Sequence, residues 1–167
     1  GPTLTKATED RFSGLSSTEL NEMEKQSLLA LSLTLLANRQ RAGVLLSSPD
    51  ETRSYLRLRL AERKNEVFGC VFLDNRHRVI EVTEIFQGTI DGASVHPRVV
   101  VQHALACNAA ATLLFHNHPS GVAEPSHADE AITRRLKDAL SLVDVRVLDH
   151  FVVTAGESVS FSERGLI

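Results

Sequence analysis

The sequence predicts an α/β or mixed α+β fold: a central mixed sheet flanked by helices, preceded by a helical extension. Three observations carry this expectation. Val67 to Leu73 is a buried-strand run, and Val79 to Phe86 returns after the turn residues Asp74-Asn75, which reads as a hairpin. Ala111 to Phe115 is a further apolar strand-type run. Helical apolar spacing appears between and after these runs, from Pro97 and from His127, so strands and helices alternate around one sheet.

Taken in order, residues 1–15 are polar and aperiodic and predict a flexible start. Gly1-Pro2 resembles a tag-cleavage remnant and is set aside. Ser16 with Glu19 three residues on is a capping-box signal for a helix over about 17–40. The second half of that helix carries Leu28, Leu29, Leu31, Leu33, Leu35 and Leu36, an apolar face broad enough to require a partner surface. Packing on its own domain is one solution, and a homodimer through the helix around Leu28–Leu36 is the other. Residues 16–46 are thus a helical extension and 47–167 the main domain.

Ser47-Ser48-Pro49 starts a second helix, with proline suited to the first helical position, running to about Arg63. Its Arg53, Arg57, Arg59, Arg63 and Lys64 form a solvated basic face or, alternatively, a contact for phosphate backbone. After the hairpin, a glycine-bearing loop from Gly88 to His96 leads to a helix from Pro97 with Val100, Val101, Ala104 and Leu105 facing inward. The strand at Ala111 ends in two histidines. A helix over about 127–142, a strand over Val145 to Val153 and a short strand over Val159 to Phe161 complete the chain.

The composition sets bounds on function. The chain has 167 residues and a formal charge of −3, so it carries no global basic footprint for nucleic acid. Its only cysteines, Cys70 and Cys107, lie in no Cys-x-x-Cys pair and read as small buried hydrophobes. No apolar run is long enough for a bilayer and no secretory pattern opens the chain, so the expectation is a reducing, cytoplasmic location without membrane contact.

The chemistry-bearing stretch is His116-Asn117-His118-Pro119-Ser120-Gly121, followed by Pro125-Ser126 and Asp129. A regular strand directs His116 and His118 to the same side. Ser126 precedes a helical pattern with Asp129 at its third position, so a capped first turn holds the carboxylate in a fixed direction. Two neutral imidazoles and one carboxylate suit zinc, Zn2+, and leave a fourth position for water.

His-x-His, seven residues, then Ser-x-x-Asp resembles the JAMM motif of the JAB/MPN metalloprotease superfamily. His116 to Gly121 with Pro125-Ser126, together with Gly88-Thr89, Pro97-Arg98, Asn108-Ala109-Ala110 and Asp149-His150, resembles its RadC-like branch over roughly residues 48 to 167. The resemblance implies a JAB/MPN-type sheet and zinc held by His116, His118 and Asp129. It also implies a catalytic glutamate at the start of a strand. Glu66 stands at that place, with Glu81 and Glu84 as competitors flanking the second strand. Ser126 takes either of two roles, oxyanion donor by the resemblance or simple helix cap. His150 reads as a satisfied core histidine, and the resemblance adds support of the zinc shell. His77, His96, His103 and His127 read as surface residues.

Two functions follow. The first is a zinc-dependent hydrolase acting on a peptide or isopeptide bond of an unidentified protein or peptide. The second is a nucleic-acid-associated protein of repair or mobile-element biology, with a structural or phosphodiester-cleaving metal site. RadC-like proteins carry a DNA-repair label and often an N-terminal helix-hairpin-helix segment, but residues 1–46 lack the glycine-bearing hairpin that such a segment needs.

Overall fold

The computed structural model describes residues 10–41, 49–89 and 94–167. Over the described residues it is a mixed α+β structure: four α-helices, a short 3-10 turn and a five-stranded sheet. The helices are α1 (Glu22–Arg41), α2 (Pro49–Leu60), α3 (Pro97–Ala106) and α4 (His127–Ser141). The strands are β1 (Val67–Leu73), β2 (Val79–Gln87), β3 (Ala111–Asn117), β4 (Arg146–Val153) and β5 (Ser158–Ser160), in sheet order β2-β1-β3-β4-β5. Only the β3–β4 pair is parallel, bridged by α4; the other pairs are antiparallel. This is the arrangement expected when a hairpin is joined to a β-α-β crossover.

The two faces of the sheet are covered separately. On one, Val100 and Ala104 of α3 and Ile132, Leu136 and Leu140 of α4 pack on Phe68, Cys70, Phe72 and Leu114. On the other, Tyr55, Leu56 and Leu60 of α2 pack on Val67, Val71, Leu113, Phe115 and Phe151. Strand alternation sends neighbouring residues of β1 and β3 to opposite layers, which is why both strands read as continuous apolar runs and are buried along their length. Gly69 is fixed by this packing. A Cβ there would come within 2.4 Å of the Phe115 ring and 2.6 Å of the Thr83 carbonyl oxygen. A smaller cluster, Ala123, Val152, Val159 and Phe161, lies under the loop between β3 and α4.

The N-terminal helix starts later than the capping signal at Ser16 implies. Ser16 caps only a 3-10 turn, Ser17–Glu19, after which Leu20 is extended. The helix proper is opened by Asn21 and Glu24, each side chain bonding the other's backbone N–H at 2.9 and 3.0 Å. Of the two successive boxes, Ser16–Glu19 and Asn21–Glu24, the second forms both reciprocal bonds and sets the start. Residues 1–9 and 42–48 lie outside the described residues, so the expectations for the first segment and for Ser47-Ser48 fall there in part. Within α1, Met23, Leu28, Leu31 and Leu35 are exposed. Among the described residues no helix is long and apolar enough to cross a membrane.

The basic side chains of α2 are engaged within the fold. Arg59 and Arg63 reach the Glu84 carboxylate at 3.0 and 2.8 Å; Arg63 stands past the helix, which ends at Leu60 and not at about Arg63 as the sequence suggested. Arg53 pairs with Glu163 and Asp50, and Arg57 donates to the Ala155 carbonyl at 2.9 Å. The helix face is therefore tied to β2 and to the C-terminal segment, which differs from the solvated face expected from the sequence.

Candidate metal centre

β3 extends two residues beyond the apolar run, so that His116 and Asn117 are still strand. The chain then turns at Pro119 to Gly121, where the Gly121 N–H donates to the His118 carbonyl at 3.1 Å and Gly121 takes φ +89°, a conformation open chiefly to glycine. The site therefore lies at the carboxyl end of a central strand, beside the N-terminus of the crossover helix. This is where ligands of open α/β sheets commonly bind.

Ser126 caps α4. Its Oγ accepts from the Asp129 N–H at 3.1 Å, and its own N–H donates to Asp129 Oδ2 at 2.8 Å. The cap fixes the Asp129 side chain while leaving the Ser126 hydroxyl proton uncommitted to it. The carboxylate then faces His116 Nε2 and His118 Nε2, each 3.1 Å away, and the two Nε2 atoms lie 2.9 Å apart. His116, His118 and Asp129 are the three side chains that the sequence singled out, and the fold brings them together as a group able to hold a metal ion. His116 is fully buried and Asp129 is 2% exposed.

The donor chemistry fits a cation. His118 Nδ1 lies 2.9 Å from the Val122 carbonyl, which can only accept, so Nδ1 carries a proton and Nε2 is the nitrogen whose lone pair the neutral ring would offer to a metal. Tetrahedral zinc with nitrogen and oxygen ligands at about 2.0–2.1 Å would hold its donors about 3.3 Å apart, close to the spacing found. Burial alone would raise the Asp129 pKa, but hydrogen bonds from His116, His118 and the Ser126 N–H bring it far below the carboxylate range. The Asp129 hydrogen bond raises the His118 pKa, against a smaller opposing effect of burial.

Three neighbours complete the surroundings. Glu66 is half-buried one residue before β1. Phe68 pairs with His116 and Glu66 stands two residues before Phe68, so strand alternation directs Glu66 to the histidines' face of the sheet, and its charge acts on His118. The two competing glutamates are placed elsewhere. Glu84 is bound by Arg59 and Arg63 on the α2 side, and Glu81 pairs with Phe72, farther along the sheet from His116.

Asn117 points to the opposite layer from the histidines. Its buried amide accepts from the Val67 N–H at 2.7 Å and donates to the Asn65 carbonyl at 3.2 Å, so it grips the backbone on both sides of Glu66. His150 is buried against His116, Nε2 to Nδ1, at 2.7 Å, and its Nδ1 lies 2.6 Å from Thr133 Oγ1. Burial and the neighbouring His116 push the His150 pKa well below the usual histidine value, so its ring is neutral.

Sequence reasoning passed over Asn117 and Thr133. The signal for Asn117 was its position between two ligand-type residues on a strand. For Thr133 it was the four-residue step from Asp129, which puts both on one helical face. His77, His96, His103 and His127 stand away from this group; His127 is exposed and meets Glu130 at 3.6 Å.

A family model described as the RadC-like JAB domain matches residues 46–166. A UPF0758 protein of Thioalkalivibrio sulfidiphilus is 60% identical over 155 residues, covering 92% of this chain and 68% of the relative. UPF0758 proteins of Nitrosococcus oceani and Azotobacter vinelandii are each 58% identical, over 85% and 84% of this chain and 63% and 62% of their own lengths. The chain thus spans a little under two thirds of the length of these last two relatives. Matched across most of its length by the family model and by these relatives, the chain belongs to the RadC-like JAB domain family.

Proposed function

We propose that this domain is a zinc-dependent hydrolase of JAMM type that cleaves an amide, a peptide or isopeptide bond, of a protein or peptide substrate. The observation that carries the reading is the convergence of His116 Nε2, His118 Nε2 and an Asp129 oxygen within 4.8 Å of one another, with Glu66 on the same face of the sheet. His116, His118 and Asp129 would hold the ion. Bound zinc supplies a Lewis acid for the carbonyl and brings the pKa of a coordinated water toward about 7. Glu66, which lies near the ligands without belonging to their set, accepts the proton of the attacking water and returns it to the leaving nitrogen. Ser126, whose cap uses a lone pair and not its proton, donates to the developing oxyanion.

Three protein ligands fit a catalytic zinc site better than a structural one, which closes all four positions. Arginines of α2 bound to Glu84, Glu163 and the Ala155 carbonyl lend no support to a phosphate-binding face. The test is a screen of peptide, isopeptide-linked and nucleic-acid substrates with the zinc-loaded protein, beside Glu66→Gln. Turnover of an amide substrate that depends on zinc and Glu66 supports the reading. Zinc-dependent cleavage confined to nucleic acid would replace it with the phosphodiester alternative.

A further inference from the structure

A histidine that binds a metal through Nε2 must carry its proton on Nδ1, and something must hold it there. For His118 the Val122 carbonyl does so. For His116 the neighbour of Nδ1 is another imidazole, which can donate or accept, so the answer depends on what stands behind His150.

Thr133 stands there. Its hydroxyl is 2.7 Å from the backbone carbonyl of Asp129, one helical turn back, and 2.6 Å from His150 Nδ1. A carbonyl only accepts, and a hydroxyl has one proton. With that proton given to Asp129, Thr133 Oγ1 offers only lone pairs to His150. His150 Nδ1 must then carry the ring proton; fully buried, with its nitrogens facing only Thr133 and His116 and no carboxylate, the ring has no anion to hold a second proton, and Nε2 is bare. That bare nitrogen accepts from His116 Nδ1, so in the ring form that binds a metal the His116 lone pair falls on Nε2, beside His118 and Asp129. His150 has little freedom to leave the line. It is fully buried, stacked on Phe161 with ring centroids 4.4 Å apart, and met edge-on by Phe68 at 5.6 Å. Thr133 is 1% exposed, so no bulk water competes for its hydroxyl.

We infer that Thr133 and His150 are positioning residues, a directed hydrogen-bond relay that starts at the Asp129 carbonyl and fixes His116 as an Nε2 metal donor. The inference rests on the metal reading proposed above. It adds that Asp129 acts twice, its side chain as a ligand and its backbone carbonyl as the group that sets the polarity of another ligand.

The test uses the chelator-stripped full chain titrated with zinc against a chromophoric chelator. Thr133→Val keeps the shape and removes the hydroxyl; His150→Phe removes both ring nitrogens. Each should weaken zinc binding by about 10–100-fold, the usual consequence of losing an outer-sphere partner. Thr133→Ser should restore wild-type affinity, and circular dichroism should show all variants folded. A second measurement needs no variant. Long-range nitrogen–proton NMR of the zinc-loaded wild type should show His150 with its proton on Nδ1 and a bare Nε2. A proton on His150 Nε2 would overturn the relay. So would wild-type zinc affinity in both Thr133→Val and His150→Phe, with the metal reading left standing. A wild-type protein that binds no zinc overturns both.

Discussion

Replacing Asn117 with alanine tests how the fold holds Glu66, separately from how it holds metal. The side chain makes two bonds across the sheet, a buried one to the Val67 N–H at 2.7 Å and a part-buried one to the Asn65 carbonyl at 3.2 Å. Val67 is 1% exposed, so its N–H finds no water when the partner goes. An orphaned buried donor costs about 1–3 kcal/mol. For a chain of this size each kcal/mol moves Tm by about 2–4 °C, so Asn117→Ala should melt roughly 2–12 °C lower. Amide exchange at Val67 should accelerate more than at Cys70, deeper in β1. Zinc affinity should hold, because His116 and His118 point to the other layer, while turnover of any identified substrate falls. Asn117→Asp keeps the acceptor and loses the donor, and should lie between. Unchanged stability with full protection at the Val67 amide would refute the clamp. Loss of zinc together with stability would show that the two layers are not separable here.

Four further outcomes are expected. Protein purified without added metal should carry one zinc per chain by elemental analysis, and a His116→Ala, His118→Ala double variant should carry none. Glu66→Gln should keep its zinc while turnover drops by about 10²–10⁴-fold, the usual share of general acid–base catalysis; turnover at the wild-type rate would remove Glu66 from the mechanism. Burial pushes the Cys70 thiol up to about 12, so the native state keeps a proton that the unfolded chain releases near 9.0; stability should fall as pH rises from 9.0 toward 12, Cys70→Ala should flatten that limb, and Cys70 should resist alkylation at pH 8.5 until the chain unfolds. The exposed Leu28, Leu31 and Leu35 of α1 are proposed as a homodimer contact, which light scattering would disprove by returning a monomer mass at high micromolar concentration.

The strands were legible because burial on both faces leaves continuous apolar runs, and β1 and the start of β3 fall where Val67 and Ala111 mark them. The ligand group was legible for a different reason. Strand parity and a helix cap are local rules, and between them they fix the directions of His116, His118 and Asp129 without knowledge of the rest of the fold. What the sequence hid was partnership across elements. Asn117 bonds residues about 50 positions away, Thr133 meets His150 across 17, and Arg53 meets Glu163 across the whole domain. No spacing rule reaches that far. The start of α1 was misjudged on shorter range, because two capping boxes follow one another and only backbone geometry at Leu20 decides between them.

The loop from His118 to Ser126 is moored from outside itself. Glu157 in the β4–β5 hairpin accepts from the Ala123 N–H at 3.1 Å, and Arg164 grips Glu124 through two contacts of 2.7 Å. Its middle, Pro119 to Val122, is exposed, and Val122 is 59% so. The backbone at Gly121 and Val122 serves His118, but the side chains at Pro119, Ser120 and Val122 point to solvent and are the replaceable part of this loop. Side chains at positions 119, 120 and 122 can drift between relatives while Gly121 and the Val122 carbonyl keep His118 oriented, and His116 and Asp129 stay rooted in β3 and α4. Selection for a new substrate would act there first, and a designer seeking to redirect the domain would start with those three side chains and leave Gly121 and the sheet alone.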